Sequence, residues 1–150
     1  MQHFNYWDPI SKHFTYKEAL WLPSWARMGN ASDGLDDKVI ARLQYLTSKM
    51  DLVREYFNKP INVHVTWRPA AYNTQVNGAK NSAHCAAQDV DAAMDFDVIG
   101  LSCDDVKAMI LKDNKLEEWG MRMEDNGKGA SWVHLDTRAP LPGHPRFFKP

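Results

Sequence analysis

Between Leu35 and Arg68 the hydrophobic pattern changes period once, and that change sets what this chain can fold into. Leu35, Val39, Ile40, Leu43, Leu46, Met50, Val53 and Phe57 recur at steps of three or four, the spacing of one face of an α-helix. The spacing predicts a core helix over 35–57, capped by Ser32 or Asp33 and ended by Asn58-Lys59-Pro60. The next stretch alternates: Ile61, Val63, Val65 and Trp67 face one side, and Asn62, His64, Thr66 and Arg68 the other, until Pro69. That is a half-buried strand. A striped helix and a one-sided strand each need a partner surface to cover their apolar face.

The rest of the chain reads in the same terms. Asp89 to Met94 is expected as a second short strand. Ser102-Cys103-Asp104-Asp105 has the pattern of a capping box, opening a helix with Val106, Met109 and Ile110 inside. Residues 121–124 and 132–136 are strand-like and flank the glycine-containing loop 125–130, which predicts an antiparallel hairpin. The first thirty residues carry Phe4, Tyr6, Trp7, Phe14, Tyr16, Trp21 and Trp25 at irregular spacing, expected as a strap on the core or, alternatively, an aromatic ligand platform. Pro140, Pro142, Pro145 and Pro150 predict an irregular tail after Arg138.

Composition narrows the class without naming a function. With 150 residues the chain has the length of one domain. Eighteen basic and nineteen acidic side chains leave a formal charge of −1, which argues against a general nucleic-acid or anionic-membrane binder. No apolar run approaches the roughly 20 residues of a membrane span. Met1 to Trp7 has neither a basic nor an apolar signal region, so no secretory signal is expected. Cys85 and Cys103 are too few for a disulfide framework.

Chemistry concentrates in two segments. His84 and Asp91 lie seven residues apart on a loop-to-strand passage, and imidazole nitrogen with carboxylate oxygen suits zinc. That spacing is weak evidence by itself. His134 lies in Trp132-Val133-His134-Leu135-Asp136, where Asp136 can orient it from behind. A half-buried structural histidine is the alternative for that segment.

Taken together, Thr66-Trp67-Arg68, Asn73, Gly78-Ala79, Ser82-Ala83-His84, Asp91 and Trp132 to Asp136 follow one another in a known order. The chain resembles the zinc D-alanyl-D-alanine carboxypeptidase and L-alanyl-D-glutamate endopeptidase family. That family shares a group with Hedgehog domains and has many small phage members. The likeness spans about residues 61–138. It implies one zinc ion on His84, Asp91 and His134. It implies that Arg68 contacts substrate or the developing oxyanion, a role suited to a permanent guanidinium fork. Ser82 is expected beside the substrate, holding the His84 loop by a hydrogen bond rather than acting as a nucleophile, since no G-x-S-x-G surrounds it.

The sequence departs from the family at the general base. Many relatives have an acid three residues before the last histidine, where this chain has Ser131; others have a histidine two before it, where this chain has Trp132. Glu124, on the strand before His134, is the first candidate for a relocated base; Asp125 and Asp136 are the others. His64 is read as a surface residue or the far end of a groove, His3, His13 and His144 carry no pattern, and Cys85 points away from the metal.

Element order and resemblance together predict an α+β fold, a small, mainly antiparallel sheet with flanking helices. Residues 1–150 are expected as a single zinc peptidase domain, with 1–34 as the aromatic strap and 139–150 as the proline-rich tail. The expected function is hydrolysis of an amide in peptidoglycan stem peptides, as an L-alanyl-D-glutamate endopeptidase or a D,D-carboxypeptidase of phage-type cell-wall lysis. The competing expectation is an inactive zinc-stabilised binding or virion module. The implied protein is a monomer made in the cytoplasm and acting at the bacterial cell wall or periplasm, with no nucleic-acid or membrane partner.

Overall fold

The computed structural model describes residues 4–150; His3 and the first two residues of the expected strap lie outside them. A short helix, α1 (Tyr16–Leu20), opens on a capping box between Thr15 and Glu18. A two-residue antiparallel ribbon follows, β1 (Trp21–Leu22) with β2 (Arg27–Met28). The long helix α2 (Asp37–Phe57) starts later than the pattern predicts, with Asp36 as its cap. Asn30 and Asp33 cap a separate 3-10 turn, which Gly34 closes at φ 104°. Ser32 and Asp33 are therefore spent before α2 begins. Leu35 is still buried and joins the core. Asn58 ends α2 in the left-handed region at φ 50°, as asparagine tolerates.

The second half builds the sheet. Strand β3 (Ile61–Val65) is followed by α3 (Ala70–Gln75), then β4 (Ala93–Val98), α4 (Cys103–Lys112), α5 (Lys115–Trp119), β5 (Arg122–Glu124), β6 (Val133–Asp136) and β7 (Phe147–Phe148). Strand order is β3-β4-β6-β5-β7. The first three pairings are antiparallel and β5–β7 is parallel. The fold is α+β.

Three expectations about these elements shift. The β3 strand stops at Val65 rather than Arg68, after a register irregularity between Val63 and Val65. Trp67 and Arg68 then turn their N–H groups to Ala19 and to His84. The second strand runs over 93–98, not 89–94, because Asp89, at φ 47°, belongs to the preceding turn. The tail is not wholly irregular, since Phe147 and Phe148 add an edge strand. In the aromatic segment, Phe14 and Tyr16 are buried and Phe4 stacks on Tyr16 at 3.9 Å. Trp7 stays 73% exposed.

The sheet has two chemically distinct faces. Met94, Phe96, Val98, Met123, Val133 and Leu135 share one core cluster with Leu43, Leu46, Met50 and Val53 of α2 and with Val106 and Ile110 of α4. Side chains on a strand alternate in direction. The intervening residues Asp95, Arg122, Glu124, His134 and Asp136 therefore fall on the opposite face. Apolar burial against α2 thus fixes which polar residues are presented together. No helix among the described residues is long and apolar enough to cross a membrane.

Candidate metal centre and cleft

The polar face of the sheet opens into a cleft of about 420 Å³ whose lining includes Arg68, Ser82, His84, Asp95, Glu124, His134 and Arg138. At its floor, His84, Asp95 and His134 each offer a ligand atom, and those atoms lie within 4.8 Å of one another. All three residues are buried. The pairing of β4 with β6 sets Asp95 directly opposite His134. His84 arrives from a 3-10 turn (Ala83–Cys85) whose first N–H groups are capped by Ser82 Oγ, accepting from the His84 N–H at 3.1 Å. The Arg68 N–H donates to the His84 carbonyl at 2.9 Å, tying the two segments together.

Hydrogen bonds behind the histidines determine which nitrogens face inward. His84 Nδ1 lies 2.7 Å from the Thr66 carbonyl. A carbonyl only accepts, so Nδ1 carries the proton and Nε2 points at Asp95 Oδ1, 3.1 Å away. His134 Nε2 donates to Asp136 Oδ2 at 2.8 Å, leaving Nδ1 2.9 Å from the same Asp95 oxygen. Two imidazole nitrogens and a carboxylate oxygen therefore converge on one point. Such a cluster is stable only with positive charge at its centre, as protons on the imidazoles or as a metal cation. The donor set, two imidazoles and one carboxylate, is one that zinc takes. Asp136 in turn is held by Arg122, whose Nε and Nη2 donate at 2.9 and 2.8 Å, and by the Arg138 N–H at 3.2 Å. A ligand histidine backed by a buried, pinned carboxylate has a fixed tautomer and ring plane.

The electrostatics agree. Burial opposes charge on His134, but hydrogen bonds to Asp136 and Asp95, with their charges, outweigh it and hold its pKa up at about 9. Burial likewise raises the Asp95 carboxyl, but the adjoining His84 and His134 reverse this and hold it far below the usual range. Asp136 is also lowered, burial being overcome by His134 and Arg122.

The structure does not bring Asp91 to this cluster. Its carboxylate is buried against Arg138, whose Nε and Nη2 donate to Asp91 Oδ2 at 3.0 and 2.7 Å. The passage from His84 into β4 is longer than the family spacing assumes, so the acid meeting the histidines is eleven residues on, at Asp95. The signal was in the sequence: in Ala93-Met94-Asp95-Phe96-Asp97-Val98 the acids alternate with large apolar residues, the pattern of a strand with one polar face.

Other expected residues fall as follows. Arg68 Nη2 lies 3.4 Å from Asp95 Oδ2, on the oxygen the histidines do not use. Glu124 lines the cleft. The β5–β6 register pairs Arg122 with Asp136 and Met123 with Leu135; one step further places Glu124 across from His134. Asp125 turns into the following loop, where its Oδ1 accepts from the Gly127 N–H. Asp136 is fully committed behind His134. Ser131 is exposed outside the cleft, whereas Trp132 lines it. Cys85 and Cys103 are free thiols, and Cys85 is not in the ligand cluster. His64 pairs with Asp97 at 2.6 Å and His13 with Glu55 at 3.4 Å, both away from the cleft. A larger cleft, about 620 Å³, lies over the β1–β2 ribbon and is lined by neither histidine nor carboxylate.

A family model described as Peptidase M15 matches residues 12–136, which take in every residue of the His-Asp-His cluster. No curated protein matches the chain. No solved structure matches it either.

Proposed function

Since the chain belongs to the Peptidase M15 family, whose members are zinc metallopeptidases, we propose that it hydrolyses an amide bond in the stem peptide of peptidoglycan, with His84, Asp95 and His134 as ligands of one zinc ion. The observation that carries this reading is the convergence of two tautomer-fixed imidazoles and Asp95 on one point at the floor of an open cleft. A phage-type lytic role, and L-alanyl-D-glutamate as the bond cut ahead of a terminal D-alanine, come from the family resemblance.

Zinc, when bound, supplies Lewis-acid polarisation of the scissile carbonyl and a water of lowered pKa. The chain does the rest. Glu124 accepts a proton from the attacking water and delivers it to the leaving amine as the C–N bond breaks. Arg68, at the edge of the cluster, donates to the oxygen on which negative charge develops. Asp136 and the Thr66 carbonyl hold the two imidazoles in register. Ser82 holds the turn that carries His84. Trp132 and Phe148 wall the cleft.

The test is mass spectrometry of purified peptidoglycan digested with zinc-loaded protein, beside a chelator control. Chelator-sensitive fragments are expected. A freed L-alanine carboxyl identifies an endopeptidase, and loss of one D-alanine a carboxypeptidase. Intact peptidoglycan from protein holding one zinc overturns the enzymatic reading in favour of a zinc-stabilised binding module.

A further inference from the structure

The cleft holds more cationic side chains than hydrolysis needs. Arg68, Arg122, Arg138 and Lys149 line it, against Asp95, Glu124 and Asp136. Arg122 is turned onto both oxygens of Asp136 through Nε and Nη2, and its guanidinium carbon lies 3.8 Å from the centre of the Phe148 ring. Arg138 is held differently. Its Nε and Nη2 both donate to one oxygen of Asp91, and its backbone N–H donates to Asp136. Asp91 is 4% exposed at the side chain and Arg138 23%. A buried acid therefore grips the inner edge of a guanidinium whose body opens to the cleft. Guanidinium has five N–H donors, and Nη1 has no partner among the described residues. The aim is rigid, because the Arg138 backbone is tied to the same Asp136 that fixes His134.

We infer that Arg138 is a specificity-determining residue, pre-aimed by Asp91, that pairs with a free carboxylate of the substrate peptide near the scissile amide. The inference rests on the peptidase reading above and names the substrate chemistry the cleft selects. Counting Asp91, the four cations balance four carboxylates, so a divalent cation on the cluster tips the cleft positive and favours an anionic peptide. A fixed guanidinium edge suits a planar carboxylate, and an amide in its place loses the charge and turns a donor towards a donor. Two sources supply that carboxylate in a stem peptide: the α-carboxylate of a γ-linked D-glutamyl residue, or the terminal carboxylate of D-alanine. This also gives Asp91 a function outside the metal site.

The experiment uses zinc-loaded protein and synthetic stem peptides in acid and amide forms at each of the two positions. Amidation at one position is expected to lower kcat/KM by roughly tenfold or more, chiefly through KM, as loss of a charge-assisted hydrogen bond does. That position names the source. The neutral pair Asp91→Asn with Arg138→Gln, which leaves no buried charge unpaired, is expected to bring the acid-to-amide ratio within about twofold of one. Arg138→Lys keeps a charge beside Asp91 and is expected to retain part of the ratio. Calorimetric binding of the same peptides to zinc-loaded Glu124→Gln reads the ratio without turnover, and a preference for the acid form there supports the inference even where no bond is cut. Absence of cleavage counts against the peptidase reading. Equal affinity for acid and amide at both positions, or a ratio that survives loss of Arg138, overturns the role of Arg138.

Discussion

Asp95 and Asp91 are both buried aspartates near His84, yet they do opposite things. One faces two imidazoles and the other faces a guanidinium. Removing them separates the roles. Asp95→Ala should abolish stoichiometric zinc, measured by atomic emission on protein dialysed against a metal buffer. Asp91→Asn should keep one zinc per chain. Zinc retained by Asp95→Ala and lost from Asp91→Asn would restore the seven-residue spacing. The proposed base obeys a different test. Glu124 has no ligand role, so Glu124→Gln should hold zinc normally while kcat falls roughly a hundredfold or more. A near-wild-type kcat would remove Glu124 from the mechanism. At this scale the sequence motifs singled out His84, His134 and Arg68, which the fold brings to one cleft. Asp95 was not: a fixed spacing cannot register a loop that has grown, and only the strand pattern around it can.

Periodicity carried the elements further than it carried their ends. The 35–57 stripe is α2, the alternation from Ile61 is β3, and the hairpin is β5 with β6, since each has one face that must be buried. Boundaries moved where local capping competed, as when Asn30 and Asp33 formed their own turn. The β7 edge strand was hidden because two residues among prolines carry no period, and it forms only because β5 offers a free edge. One element-level device was also invisible in sequence. The β5–β6 loop, which connects Glu124 to His134, is clamped by α4. Buried Lys107 donates from Nζ to Asn126 Oδ1 and the Gly127 carbonyl, both at 2.7 Å, and Asp104 accepts from the Gly129 N–H at 3.1 Å. Lys107→Met leaves those two acceptors unpaired, though partly reachable by water. It should destabilise the protein by about 1–2 kcal/mol in denaturant titration. Amide exchange should accelerate across residues 125–132 while zinc content is unchanged. Unaltered exchange in the loop would show that α4 does not hold it.

At the scale of the whole molecule, the cluster of His84, Asp95 and His134 links stability to pH with a sign set by its neighbours. His134 has its folded pKa raised to about 9 by Asp136 and Asp95, from an ordinary 6.5. A group shifted up contributes stability that is complete below its unfolded value and is lost as pH rises through its folded one. In metal-free protein that contribution is therefore full below about pH 6.5 and gone above about 9. Asp95 and Asp136 are shifted down, so theirs is present above the ordinary value of 3.8 and lost as the pH falls below it. Metal-free protein should be most stable in mildly acidic solution and should weaken on both sides. Zinc reverses the alkaline limb. It competes with the His134 proton, so its binding releases that proton and strengthens as pH rises, and ligand bound only to the folded state raises stability by mass action. The Tm difference between zinc-loaded and chelated protein should thus widen steadily from pH 6.5 to pH 9. Calorimetric scans across that range at fixed free zinc measure it. A difference that stays flat would mean His134 gives up no proton when the metal binds, and a difference that narrows would place the ion away from His84, Asp95 and His134.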